Sequence, residues 1–263
     1  MSTSSTHPTK QEQLAAMREF SNNTNARLPV LFLLDASSSM NGIVRGDNQH
    51  IVCQEYADGL NWNIVTGDNI VTRMDELNIG LERFINDILA DPMAKLAADV
   101  AVMTFAQTIA TVKEFGPIRE SDTGLKITTS QENETLLGEA VELALAELDS
   151  RKRTYREHGV EYYQPWLVVM TDGVPTSARH RELEGRLKEL TAARKLSVFV
   201  FGIGRADLSE LCSISPGRPP MRVNDQKFPE LFAWLSRSVR MASMSVPGDG
   251  VSLTPLPEDV WQV

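Results

Sequence analysis

Residues 29–39 read PVLFLLDASSS, an apolar run that ends abruptly in a carboxylate and three hydroxyls. Such a run of strand length suits a strand buried on both faces, as in a parallel sheet covered by helices on each side. The polar half has its own pattern. Asp35, Ser37 and Ser39 alternate along the chain, so an extended turn throws their side-chain oxygens to one side.

Three further runs share the apolar character: DVAVMTFA (Asp99–Ala106), WLVVMTDG (Trp166–Gly173) and LSVFVFGIG (Leu196–Gly204). Helical patterns separate them. Leu77–Ala90 places Leu77, Leu81, Phe84, Ile85 and Ile88 on one face, and residues 135–148, 182–195 and 228–241 repeat apolar residues at helical spacing. Strands alternating with helices imply right-handed crossovers, hence an α/β fold with a doubly wound, mostly parallel open sheet. TIATVKEF (Thr108–Phe115) follows its predecessor after a very short gap and is expected as an antiparallel edge strand.

Residues 41–72 interrupt this rhythm, being rich in Gly, Asn and Asp with little periodicity. They are expected as an insertion beside the first strand, where functional loops commonly sit. The domain organisation expected is a flexible segment over 1–26 with a short helix at 11–20, a folded unit over 27–245, and an extended Pro/Gly-rich tail over 246–263.

Composition sets bounds. The chain has 263 residues, 42% of them hydrophobic, enough for a substantial core. Its 35 acidic and 26 basic residues give a net charge of -9, which argues against general nucleic-acid binding. Two cysteines, Cys53 and Cys212, make no disulfide framework, and reduced thiols point to a cytoplasmic protein. The N-terminus has no apolar core of a secretory signal, and no apolar run reaches the roughly 20 residues that span a bilayer.

Ligands of open α/β sheets bind at the carboxyl ends of the strands. Asp35, Ser37 and Ser39 end the first strand, Asp172 ends another, and Thr135 opens a helix. Two carboxylates and three hydroxyls, with no sulphur or imidazole, suit a hard cation: Mg²⁺ first, with Mn²⁺ or Ca²⁺ as alternatives.

DASSS, Thr135 in ETLLGEAV, and MTDGVPT together resemble the metal-ion-dependent adhesion site of von Willebrand factor type A domains: Asp-x-Ser-x-Ser, a distant Thr, and a distant Asp. FVFGIG resembles a late strand of that family, and the resemblance runs over about residues 29–241. It implies a Rossmann-like fold and a non-enzymatic binding module, with Asp35, Ser37, Ser39, Thr135 and Asp172 as metal ligands and a partner's Asp or Glu at the metal's open position. PVLFLLDAS and VMTDGVPT are closest to the TerY-like bacterial tellurium-resistance group. That group implies a stress-response setting with kinase- or phosphatase-like partners. The chain departs from the family pattern at Ser38, usually Gly, and at Asn133 and Glu134, usually a Gly pair. The second departure keeps Thr128 and Thr129 open as alternatives to Thr135.

Other motifs read more blandly. His50 and Cys53 form an H-x-x-C without a second pair, so a zinc site is not indicated. RKRTYREH (Arg151–His158) reads as a solvated helix end, with a nucleic-acid or acidic-partner patch as the alternative. Gly202 and Gly204 lack the third glycine of a dinucleotide fingerprint. Two competing functions stay open. A metal-dependent phosphoryl-transfer enzyme is disfavoured because Ser37 stands where a second Asp would be needed and no P-loop, nucleophile elbow or evident base is present. A scaffold that has lost its metal is the other.

Overall fold

A computed structural model describes residues 20, 23–57, 60–131, 134–173, 175–204, 206–247, 253, 255, 257 and 260–262. The helix expected over 11–20 lies, apart from Phe20, outside them. Phe20 is buried, with its ring edge-on to Tyr155.

The apolar run of residues 29–34 forms most of β1 (Leu28–Asp35), every residue of which is buried. It pairs in parallel with β4 (Ala98–Phe105) on one side and β6 (Trp166–Thr171) on the other. β7 (Ser197–Ile203) and the short β8 (Met221–Val223) continue the parallel array beyond β6. β5 (Ile109–Pro117) closes the far side of β4, antiparallel as expected. Beyond β8 lies a second antiparallel edge strand that the sequence did not suggest, β9 (Trp261–Gln262), drawn from the tail. The order across the sheet is β5-β4-β1-β6-β7-β8-β9.

β1 needs apolar residues at every position because successive side chains enter different cores. Val30, Phe32 and Leu34 join the core under α1 (Arg73–Ala90) and α7 (Phe228–Ser243). Leu31 and Leu33 join the core under α3 (Leu137–Glu157) and α5 (Glu184–Ala192). Three short helices complete the connections: α2 (Pro92–Ala97), α4 (Arg179–Glu182) and α6 (Leu208–Leu211). The helix expected over 182–195 is thus present as α5, shortened at both ends, with Leu183 separating it from α4.

Two sequence readings change in character. β2 (Ile43–Ala57) and β3 (Leu60–Thr72) pair as a long antiparallel hairpin lying apart from the main sheet. Four register shifts interrupt its pairing, and Asn48 and Asn69 have φ of 47° and 53°. Bulges break the two-residue alternation by which a strand is read, and that is why the segment looked aperiodic. The second change concerns RKRTYREH. Arg151 is not solvated: its Nε donates to the carboxylate of Asp99, 2.8 Å away, and Tyr155 Oη donates to the same oxygen at 2.6 Å. Asp99 and Tyr155 are fully buried.

Candidate metal centre

β1 and β6 run side by side in register, with Leu34 opposite Met170. Their carboxyl ends therefore deliver Asp35 and Asp172 to the same edge of the sheet, which is the link between the apolar runs and the polar residues after them. Past Asp35 the chain makes a tight 3-10 turn over Ser38–Asn41, held by Met40 N donating to Ser37 O at 3.1 Å. Met40 is buried beneath the turn and fixes its inner side to the core.

The resulting contacts form one connected chain. Ser37 N donates to Asp35 Oδ1 at 2.8 Å, and Thr171 Oγ1 donates to Asp35 Oδ2 at 2.5 Å. The hydroxyls of Ser37 and Ser39 are 2.8 Å apart, and Ser39 Oγ donates to Asp172 Oδ1 at 2.6 Å. Arg73 Nη1 donates to Asp172 Oδ2 at 3.0 Å. Asp35 and Ser37 are essentially without solvent exposure, and Asp172 is 8% exposed.

Thr135 is also buried and approaches from the loop before α3. Its main chain is tied to the segment after β6, because Thr176 N and Thr176 Oγ1 both donate to Thr135 O at 3.2 Å. A side chain at Gly173 would put Cβ 2.9 Å from Thr135 Oγ1 and 3.4 Å from Asp35 Oδ2. The Thr135 hydroxyl and the Asp35 carboxylate thus converge beside a residue that has to be small. The two alternatives lie differently: Thr128 is exposed, and Thr129 Oγ1 donates to Asn41 at 2.9 Å. The structure therefore brings Asp35, Ser37, Ser39, Thr135 and Asp172 together and leaves Thr128 and Thr129 outside the cluster.

Two buried carboxylates in one cluster work against their own ionisation. Burial raises the Asp35 pKa, opposed by its hydrogen bonds from Ser37 and Thr171. Burial, then the charge of Asp35, pushes Asp172 up to about 6. A positive ion at this edge would relieve both effects. Among the described residues no three His, Cys, Asp or Glu side chains converge, so hydroxyl oxygens and water would supply the rest of any coordination shell here. Oxygen-only donors at a strand edge fit a hard divalent cation. His50 and Cys53, by contrast, are exposed on the hairpin.

Sequence reasoning missed four neighbours of the cluster. Thr171 was within reach, because it directly precedes Asp172 at the end of β6. Gly173 adjoins them. Arg73 and Asp225 carried no signal, arriving from the start of α1 and from the loop after β8. Arg73 Nε donates to Asp225 Oδ2 at 2.8 Å. The hydroxyl of Ser38, where the resemblance led one to expect Gly, is buried and has no hydrogen-bond partner among the described residues.

Comparison with solved structures supports the same fold. Proximal thread matrix protein 1 from the mussel byssus superposes with a TM-score of 0.54 at 16% identity, over 84% of this chain and 47% of that one. This chain therefore spans about half of the mussel protein. BatB from Bacteroides thetaiotaomicron gives a TM-score of 0.54 at 16% identity, covering 83% of this chain and all of that one. Another structure of the mussel protein, described as having a zinc-occupied MIDAS motif, gives 0.51 at 18% identity, over 84% of this chain and 47% of that one. No curated protein sequence matches this chain. The model of the von Willebrand factor type A domain matches residues 30–233, from the third residue of β1 into α7. With sheet order, strand-end residues and that match in agreement, the chain belongs to the von Willebrand factor type A domain family.

Proposed function

We propose that this chain is a protein-interaction module that holds a divalent cation, Mg²⁺ in the cell, at Asp35, Ser37, Ser39, Thr135 and Asp172. The observation that carries this reading is the unbroken contact chain from Asp35 through Ser37 and Ser39 to Asp172, with distances of 2.6–2.8 Å between its members. When bound, the cation supplies an open coordination position for a carboxylate oxygen of an Asp or Glu on a partner protein. The chain's own residues do the rest. Thr171 and the Ser37 amide orient Asp35, and Met40 anchors the turn that presents the two serines. The zinc-occupied MIDAS motif of the mussel protein supports a metal at the equivalent edge.

The same reading makes the protein a binder rather than an enzyme. Among the described residues, the hydrogen bonds of His180 go to Ser177 O and Glu210, and that of His158 to Thr154 O, and none goes to Asp35, Ser37 or Ser39. Within this proposal the likeness to the TerY-like group makes a cytoplasmic stress-response system the setting. A kinase- or phosphatase-like protein is then the candidate partner. No helix among the described residues is long and apolar enough to cross a membrane.

The test is capture of partners on immobilised full-length chain with Mg²⁺ or with EDTA, alongside an Asp35→Ala variant checked for its fold by circular dichroism. Partners retained only by the Mg²⁺-loaded wild type are expected. Equal retention under all three conditions refutes the proposal.

A further inference from the structure

One cation of this chain already occupies the site's edge. Arg73 is the first residue of α1, directly after the hairpin, and its guanidinium reaches across to two carboxylates. Nη1 lies 3.0 Å from Asp172 Oδ2 and Nε lies 2.8 Å from Asp225 Oδ2. Asp225 is itself fixed, because Gly204 N donates to its Oδ1 at 2.8 Å.

The guanidinium sits in a built cradle. A Cβ at Gly42 would lie 2.6 Å from Nη1, and one at Gly204 would lie 2.6 Å from Nη2. Gly204 also has φ of +54°, a conformation that favours glycine. Backbone fixes the root of the side chain, with Arg73 N donating to Gly42 O at 2.9 Å. The first turn of α1 is secured by the Thr72–Asp75 capping box and by Arg45 pairing with Glu76 at 2.7 Å. With its side chain 21% exposed, Arg73 is not one of the mobile surface arginines whose ion pairs contribute little.

Both oxygens of Asp172 are engaged, one by Ser39 and the other by Arg73. A divalent ion at this carboxylate meets a fixed positive charge already bonded to it. Two cations on one carboxylate repel, and in a half-buried setting that repulsion is weakly screened. A cavity lined by Lys152, Arg156, Arg194 and Lys195 at the other end of the sheet also gathers positive charge, but nothing there shows a ligand.

We propose that Arg73 is a tethered cation that shares Asp172 with the divalent ion and thereby sets the site's metal affinity below what its oxygen ligands alone would give. This rests on the metal reading above. It adds that the metal must displace or crowd a guanidinium to bind, so the affinity is adjustable from the base of the hairpin without touching a ligand.

The experiment is titration of the full-length protein with Mn²⁺, followed by loss of the free-ion electron spin resonance signal. Wild type, Arg73→Gln, Arg73→Lys and Asp35→Asn are compared. Removing the guanidinium charge is expected to tighten Mn²⁺ binding at least roughly fivefold, because one repulsive charge near the ion is gone. Arg73→Lys, which keeps the charge, should stay close to wild type. Thermal melts in EDTA provide a second readout. Arg73→Gln should melt lower than wild type without metal, because Asp172 and Asp225 lose their counter-ion, and Mn²⁺ should raise its melting point more than it raises that of wild type. Unchanged Mn²⁺ affinity in a folded Arg73→Gln protein overturns this proposal alone. Weaker binding in that variant also overturns it, showing that Arg73 positions Asp172 instead of opposing the ion. If wild type and Arg73→Gln bind no Mn²⁺, or Asp35→Asn binds as well as wild type, the metal reading fails and takes this one with it.

Discussion

Asp172 has a like charge on one side and a guanidinium on the other, and burial decides between them. Its pKa rises from an ordinary 3.8 to about 6. In the metal-free protein the folded state therefore holds a proton between those values that the unfolded chain has released. The associated stability is fully present below pH 3.8 and is lost as pH rises through about 6. Asp172→Asn has no such proton to lose. In EDTA, the melting temperature of wild type relative to this variant is expected to fall as pH is raised from 4 to 7. A difference that stays constant over that range would contradict the assignment. At this scale the sequence was most legible where chemistry follows directly on a strand. Asp35, Ser37, Ser39 and Asp172 could be read because strand ends have a known place in an open sheet. Arg73 and Asp225 could not, because 152 residues separate them and only the tertiary fold brings them into contact.

Among the elements, α1 and α7 pack closely on one face of the sheet, and Gly80 marks their contact. A Cβ there would lie 2.4 Å from Phe232 Cδ2 and 3.2 Å from the Phe228 main chain. Phe232 also packs against Phe32 and Phe84, with ring centroids 5.6 and 6.4 Å away, so it has little room to retreat. Gly80→Ala is expected to destabilise the fold by about 2 kcal/mol through overpacking, despite alanine's better helix propensity. Urea denaturation measures it, and a neutral or stabilising result would show that the two helices can separate. The helix faces were readable from periodicity, including Leu77, Leu81, Phe84, Ile85 and Ile88, all buried. The hairpin was not, since its bulges erase the alternation that identifies strands. Nor was the short helix α4 that precedes Leu183.

For the molecule as a whole, the two ends of the sheet are built differently. The carboxyl ends carry the hydroxyl-rich cluster. The other end of β4 carries Asp99, fully buried, with Arg151 and Tyr155 both donating to its Oδ2. Burial and the nearby Asp99 raise the Tyr155 pKa well above its ordinary value, so this phenol keeps its proton. Asp99→Ala would leave the Arg151 charge half-buried without this partner, at a cost of about 3 kcal/mol. Guanidinium denaturation is expected to show that loss while Mn²⁺ affinity of the folded variant is unchanged, since the lesion lies at the far end of the strand. The fold class was legible from four apolar runs and the helical stretches between them. The full strand order was not, because it is decided by crossovers that leave no mark on any one segment.

The edges of the main sheet set a limit on assembly. An unpaired edge strand is a template on which another chain's backbone adds. On one side, β8 is covered by β9 from the chain's own tail. On the other, β5 presents a partly exposed strand whose register against β4 shifts twice and which carries Lys113 and Glu114. Charge and irregular pairing make such a strand a poor template for regular strand addition. With both edges short or irregular, the sheet is expected to resist fibril-like growth even at high concentration. The carboxyl ends of the strands remain open to side-chain contacts, and it is at that same end of the sheet that the hairpin begins.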